Sequence, residues 1–146
     1  MSDLRELYQE IIIDHSRRPH HFGTLTTANR EALGFNPLCG DKLTLYLEIE
    51  KNIIKDIRFV GNGCAISTAS ASLMTDVIKG KSVPEAQAIF KRFHTLMTDK
   101  SAHIDIEKLA VLTGVREFPM RVKCATLAWH TLHSALENKH EVVTTE

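Results

Sequence analysis

The sequence lacks paired cysteines, long apolar runs and an excess of either charge. Its 146 residues include only Cys39, Cys64 and Cys124, so no Cys-x-x-Cys zinc knuckle is present. Lys and Arg together number 18, as do Asp and Glu, and this balance argues against a nucleic-acid partner. No apolar run reaches the length of a transmembrane helix, so we expect no membrane partner.

The cysteine count also indicates the compartment. Three is an odd number, and the N-terminus has no signal-peptide pattern. Both features predict reduced thiols in a cytoplasmic protein. The length suits one domain with one hydrophobic core, which we assign to residues 1–146. Residues 139–146 are polar, and we expect them to form a flexible tail.

Alternation of apolar and polar side chains predicts a small antiparallel sheet. Residues 43–49 alternate as a strand does when only one of its faces is buried. A two-residue turn at 51–52 leads into a returning strand over residues 53–60. Residues 31–35 suit a third strand at the edge of this sheet.

Helical periodicity and capping signals predict helices before and after the strands. The first helix ends before Pro19, because the residue preceding a proline disfavours helical geometry. Four further helices are predicted, over residues 65–78, after the Ser82–Glu85 capping box, over residues 104–112, and from residue 122 onward. The predicted fold class is α+β, with a small antiparallel three-stranded sheet covered by helices.

Each cysteine has a backbone setting that suits a thiolate or a bound metal. Cys39 lies in a loop and precedes a glycine and Asp41. Cys64 closes a Gly-x-Gly turn before one predicted helix, and Cys124 follows a basic residue at the expected start of another. Helix N-termini and nearby cations lower the pKa of a thiol. Three thiolates and the Asp41 carboxylate would make a complete tetrahedral ligand set for zinc, or for iron in a cluster.

The residues alone do not decide between a metal site and unrelated side chains. Free cysteines are often small buried apolar residues, and the wide spacing of these three is a weak signal for a metal. His15, His20 and His21 flank a loop and could bind a metal too. They have no carboxylate or thiol at ligand spacing in the sequence, so we interpret them as non-ligands.

Three segments of the chain resemble a known family. They read NPLCGD at 36–41, GNGCAISTASASLM at 61–74 and FPMRVKCATLAW at 118–129. Together they resemble the U-type iron–sulfur cluster assembly proteins, the IscU/NifU N-terminal family, over residues 4–136. Within that family the chain resembles the SufU branch. Lys123 stands where IscU-type members have a histidine, and residues 81–100 look like the insert of the SufU branch.

The resemblance implies a site and a reaction. Cys39, Asp41, Cys64 and Cys124 would hold one zinc ion, and Cys39 would accept persulfide sulfur from a PLP-dependent cysteine desulfurase of the SufS type. Arg121 would lie near Cys39. The sulfur would pass to downstream SUF assembly proteins or to apo-proteins. The chain would then be a zinc-dependent sulfurtransferase that carries sulfur, rather than a conventional enzyme.

Two alternatives use the same ligands. The chain could be a scaffold on which a transient iron–sulfur cluster is assembled and then passed to apo-proteins. It could also be a structural zinc module that mediates an interaction, in which case the site would be closed and the metal would serve folding. The histidine missing before Cys124 and the insert favour the sulfur acceptor over the scaffold.

Overall fold

The computed structural model describes residues 2–139 and 141–145. Its α-helices are α1 (Ser2–Arg17), α2 (Ala65–Ile78), α3 (Val83–Thr98), α4 (Glu107–Ala110) and α5 (Pro119–Leu136). Its strands are β1 (Arg30–Asn36), β2 (Asp41–Glu50), β3 (Ile53–Asn62) and β4 (Val143–Thr144). A 3₁₀ helix at Thr113–Glu117 precedes α5. The α+β class is confirmed.

The sheet is built on an antiparallel meander of β1, β2 and β3, as predicted. The turn between β2 and β3 is formed by Lys51 and Asn52, which both have positive φ, 53° and 65°. Positive φ at both positions matches the right-handed twist of a tight hairpin. Leu45 pairs with Phe59 across β2 and β3, so apolar side chains line the face of the sheet that the helices cover.

The prediction of three strands is wrong, because β4 adds a fourth. β4 pairs in parallel with β1, and the strand order is β3-β2-β1-β4. A strand of two residues is too short to show alternation, so periodicity could not reveal it. β4 lies within the segment predicted to be a flexible tail, of which His140 and Glu146 lie outside the described residues.

The helix predictions are confirmed for α2 and for the start of α3, where Ser82 and Glu85 form the expected capping box. The segment over 104–112 contains only the short α4. The last helix begins at Pro119, three residues earlier than predicted, because proline is already set for the first helical turn. Cys124 therefore lies in the second turn of α5 and not at its N-terminus.

The core is formed where α5 packs against α2, α3 and the sheet. Trp129 of α5 is fully buried, stacks on Phe93 at 4.5 Å between ring centroids, and donates its indole N–H to Ser70 Oγ at 3.2 Å. The small residues of α2 allow this close approach. None of the helices in the described part of the chain is long and apolar enough to cross a membrane.

Gly34 is the point of closest approach between β1 and α5. A Cβ atom built on Gly34 would clash with Thr131 Oγ1 and come within 3.2 Å of Leu127 Cδ1. We expect Gly34→Ala to lower the free energy of unfolding by about 1–3 kcal/mol, because well-packed interiors tolerate added volume poorly. Chemical denaturation measures the change. Gly114→Ala is the matched control, since a Cβ there would contact nothing within 4 Å; equal effects of the two substitutions would contradict the packing explanation.

Candidate metal centre

The turn between β1 and β2 carries two of the predicted ligands. Gly40 adopts φ 72° and donates its N–H to the Asn36 carbonyl oxygen at 2.8 Å, which closes the turn. Cys39 lies within this turn and is half-buried, while Asp41 is the first residue of β2 and is fully buried. β2 begins only at Asp41, so Cys39 belongs to the turn and not to the strand. The turn holds both side chains at one end of the sheet.

Cys64 joins the site through its backbone. It is the N-cap of α2, and its N–H donates to Asp41 Oδ1 at 2.9 Å. Its Sγ accepts a hydrogen bond from Ser67 N at 3.4 Å, as a capping side chain does. The predicted position at a helix N-terminus is confirmed. The preceding Gly63 leaves room for the carboxylate, because a Cβ there would approach Asp41 Oδ1 to 2.8 Å.

Cys124 is the buried member of the set. Its Sγ lies 3.3 Å from Cys39 Sγ and 3.7 Å from the Asn36 amide nitrogen Nδ2. It also lies 3.7 Å from the Met120 carbonyl oxygen, which is one helical turn earlier in α5. The side chain is fully excluded from solvent. Cys124 thus lies close to the start of β2, although it is 83 positions away from Asp41 in the sequence.

The side chains of Cys39, Asp41 and Cys124 form a group that could hold a metal ion. One potential ligand atom from each lies within 4.8 Å of the others. Asp41 Oδ2 is buried and has no hydrogen-bond partner among the described residues. A buried carboxylate oxygen without a partner is costly unless a cation satisfies it. The donor set of sulfur and carboxylate suits zinc, so the residues present fit that metal.

Cys64 lies beside this group, but its sulfur does not belong to it. Its backbone contacts Asp41, but its sulfur is turned toward the start of α2 and lies outside the group of three. Rotation of its side chain about one bond would redirect the sulfur. The structure therefore brings three of the four predicted ligands together and places the fourth beside them.

The electrostatics of the site differ from the prediction at Cys124. Burial raises the pKa of the Cys124 thiol far above its ordinary value, and the neighbouring side chains of Cys39 and Asp41 raise it further. The predicted lowering by a helix N-terminus fails because α5 begins at Pro119. Arg121 is exposed, and its interactions with the side chains of Cys124 and Cys64 raise the pKa of the guanidinium.

Sequence reasoning missed Asn36 as part of this site. Its amide is fully buried; Oδ1 accepts the Leu38 N–H at 3.2 Å, and Nδ2 donates to Cys124 Sγ at 3.7 Å. The residue thus links the turn that carries Cys39 to the helix that carries Cys124. An Asn-Pro pair at the end of a strand is a known turn signal, but nothing in the sequence indicates the contact with α5.

At a second place, the fold also brings together residues that are far apart in the sequence. Asp76 of α2 lies against His15, His20 and His21, which the sequence left without a carboxylate. Burial lowers the pKa of both His15 and His21. This cluster lies far from the cysteines along α2.

Comparison with known families identifies the family of the chain. Residues 7–141 match the family described as the NifU-like N-terminal domain. The chain belongs to this family. The family match covers Cys39, Asp41, Cys64 and Cys124, and the resemblance inferred from the sequence is confirmed.

Several relatives of this NifU-like domain have names or structures. The iron–sulfur cluster assembly scaffold protein IscU of Streptococcus pyogenes serotype M1 is 42% identical over 94% of this chain and 87% of its own. The zinc-dependent sulfurtransferase SufU of Bacillus subtilis strain 168 is 39% identical over 92% of both chains. The solved structure of FiSufU from Fervidobacterium islandicum AW-1 superposes with a TM-score of 0.80 at 36% identity, over 90% of this chain and 98% of that one. These values do not separate the IscU and SufU branches.

Gly63→Ala tests whether the Asp41 carboxylate contributes to metal affinity without removing any ligand. The added Cβ would push against Asp41 Oδ1, which is held by the Cys64 N–H and cannot move freely. We expect zinc affinity to fall by about tenfold, or roughly 1.4 kcal/mol, as misplaced ligands typically cost. Competition with a chromophoric chelator measures it, with Gly114→Ala as the control. Unchanged affinity would show that Asp41 does not bind the metal.

Proposed function

We propose that this chain is a zinc-dependent acceptor of persulfide sulfur in iron–sulfur cluster assembly. Cys39, Asp41, Cys64 and Cys124 would hold the zinc, which when bound keeps the sulfurs as thiolates at neutral pH. The observation that carries the proposal is the meeting of Cys39 and Cys124 with a buried carboxylate whose Oδ2 has no partner in the described structure. One relative is named an iron–sulfur cluster assembly scaffold protein and another a zinc-dependent sulfurtransferase, and both names support the proposal.

Cys39 is the sulfur acceptor in this proposal. It lies in a turn and is partly exposed, whereas Cys124 is fully buried within a helix and Cys64 caps one. An acceptor must reach a partner's sulfur, and a residue in an exposed turn can do so with small backbone movement. The capping position of Cys64 and the burial of Cys124 suit these two residues to stay in place.

The transfer step is a thiol–disulfide type exchange. The Cys39 thiolate attacks the outer sulfur of the desulfurase persulfide and forms a new S–S bond. The bond between the two sulfurs of the donor breaks, and its electron pair leaves with the desulfurase cysteine as a thiolate. Cys39 then carries the persulfide. The positive guanidinium of Arg121, beside the sulfurs, stabilises negative charge at this position.

The surface around Cys39 supports a protein partner, for which we propose a PLP-dependent cysteine desulfurase. Leu38 precedes Cys39, and the Met120 carbonyl oxygen lies near Cys124 Sγ with Phe118 two residues before it. The side chains of Leu38, Phe118 and Met120 are 55%, 56% and 56% exposed. Exposed apolar side chains that surround a functional group mark an interaction surface. This rim would exclude water around the two sulfurs while transfer occurs. Downstream SUF proteins or apo-proteins would use the same rim when they receive the sulfur.

Assembly of an iron–sulfur cluster on the same residues is a second candidate function. The relative from Streptococcus pyogenes is named a scaffold, and thiolates with a carboxylate can also hold iron. Reconstitution with iron and sulfide without oxygen distinguishes the two. A stable visible absorption spectrum and cluster transfer to an apo-protein would favour the scaffold; zinc that resists replacement by iron would favour the sulfur acceptor.

The location of the persulfide tests the proposal directly. After incubation of the zinc-loaded protein with a cysteine desulfurase and cysteine, we expect the extra sulfur on Cys39, because it lies in a surface turn whereas Cys64 caps a helix and Cys124 is buried within one. Mass spectrometry of alkylated peptides measures it, and Cys39→Ser should abolish the transfer. Sulfur found on Cys64 or Cys124 would contradict the assigned roles. Retained zinc with no sulfur on any cysteine would point to a structural zinc module.

Asp41→Ala separates metal retention from sulfur acceptance. Three thiolates remain, so we expect most of the zinc to stay bound, with water in the vacated position. Stimulation of desulfurase turnover should fall by about tenfold or more, because a small misplacement of a reacting group is costly to rate. Elemental analysis and alanine formation by the desulfurase measure the two effects. Stimulation equal to that of the unmodified protein would remove Asp41 from the proposal.

A further inference from the structure

The cluster at Asp76 lies on the side of α2 that packs against α1. Asp76 is the twelfth residue of α2, about 18 Å along the helix axis from Cys64 by a rise of 1.5 Å per residue. It is therefore separate from the cysteine site. His15 comes from the end of α1, and His20 from the loop that follows. Ligands from three parts of the chain meet here.

The donor atoms are close enough for one ion. One potential ligand atom from each of His15, His20 and Asp76 lies within 4.8 Å of the others. His20 Nδ1 lies 2.7 Å from Asp76 Oδ2. His21 lies next to this group, with its Nδ1 3.5 Å from Asp76 Oδ1. Two or three imidazoles with one carboxylate form a donor set typical of zinc.

Hydroxyl groups hold two of these imidazoles. Ser72 Oγ lies 2.7 Å from His15 Nδ1 and accepts the His20 backbone N–H at 2.7 Å. Thr75 Oγ1 lies 2.9 Å from His21 Nδ1. A hydroxyl has two acceptor lone pairs, so Ser72 can accept from His15 Nδ1 and leave Nε2 free to bind. Such contacts orient ligating histidines in metal sites.

One side chain, that of Lys108, competes with a metal ion for Asp76. The Lys108 ammonium donates to Asp76 Oδ2 at 3.0 Å and neutralises a carboxylate that is only 8% exposed. Although burial of Asp76 acts to raise its pKa, the hydrogen bonds from Lys108 and His20 hold that pKa below its ordinary value. Lys108 itself is 56% exposed. Its long side chain can turn to solvent when a divalent cation takes its place.

We propose that His15, His20 and Asp76, with His21 beside them, form a second binding site for zinc or a similar divalent transition metal. The ion binds more weakly than at the cysteines, because imidazole and carboxylate ligands replace thiolates and Lys108 must be displaced. Bound there, it ties the end of α1 and the following loop to α2. The site is independent of sulfur transfer.

Zinc titration of the protein that already carries one equivalent tests the site. We expect a second, weaker equivalent, measured by competition with a chromophoric chelator. Asp76→Asn and His20→Gln should each weaken it by about tenfold or more, as loss of a ligand or its partner does. His103→Asn is the control and should leave it unchanged, because His103 is exposed and outside the cluster.

Lys108→Met distinguishes a metal site from an ion-pair cluster. At a metal site, removal of the competing ammonium should tighten the second equivalent several-fold, and the imidazole nitrogen signals of His15 and His20 should shift on zinc addition. In a cluster that only holds α1 to α2, the substitution would lower stability and create no metal affinity. Absence of a second equivalent from both the unmodified and Lys108→Met proteins would overturn the proposal. A second equivalent that survives both Asp76→Asn and His20→Gln would overturn it as well.

Discussion

The hydrogen bond between the Asp41 carboxylate and the Cys64 backbone N–H is the contact on which the candidate metal centre depends. Asp41 begins β2, and Cys64 begins α2, so this bond joins the two ends of the β2–β3 hairpin to the first helix of the core. Asp41 is fully buried, and a buried carboxylate is stable only when its oxygens are satisfied. Oδ1 accepts a hydrogen bond from the Cys64 N–H. Oδ2 has no partner in the described part of the chain, which leaves a place for a cation.

The rest of the fold brings two sulfurs to that carboxylate. The β1–β2 turn carries Cys39, and α5, packed across β1 through the space left by Gly34, carries Cys124. Asn36 fastens the turn to α5 with one buried amide. The difference in exposure between Cys39 and Cys124 follows from this arrangement, since a turn lies at the surface and the inner face of α5 does not. That difference supports the proposed roles of Cys39 as the mobile thiol and Cys124 as the fixed one.

Much of this fold could be predicted from local patterns, and the failures have physical causes. The meander and α2 follow from alternation, a tight turn and a glycine-rich helix start. β4 could not be predicted, because a strand of two residues shows no periodicity. The start of α5 was predicted too late, because Pro119 occupies the first turn of that helix. The ligand residues of the candidate site could be predicted because the sequence resembles a known family. It could not show the Asn36 contact or the meeting of Asp76 with three histidines, because both depend on distant elements packing together.

The ligand set of the tightly bound zinc is the central claim, and X-ray absorption at the zinc edge of the unmodified protein measures it most directly. With one equivalent of zinc, the account predicts three sulfur ligands at about 2.3 Å and one oxygen at about 2.0–2.2 Å. Cys39, Cys64 and Cys124 would supply the sulfurs, so the side chain of Cys64 must turn toward the metal. A first shell of two sulfurs with two imidazole nitrogens, or one without sulfur, would contradict the account.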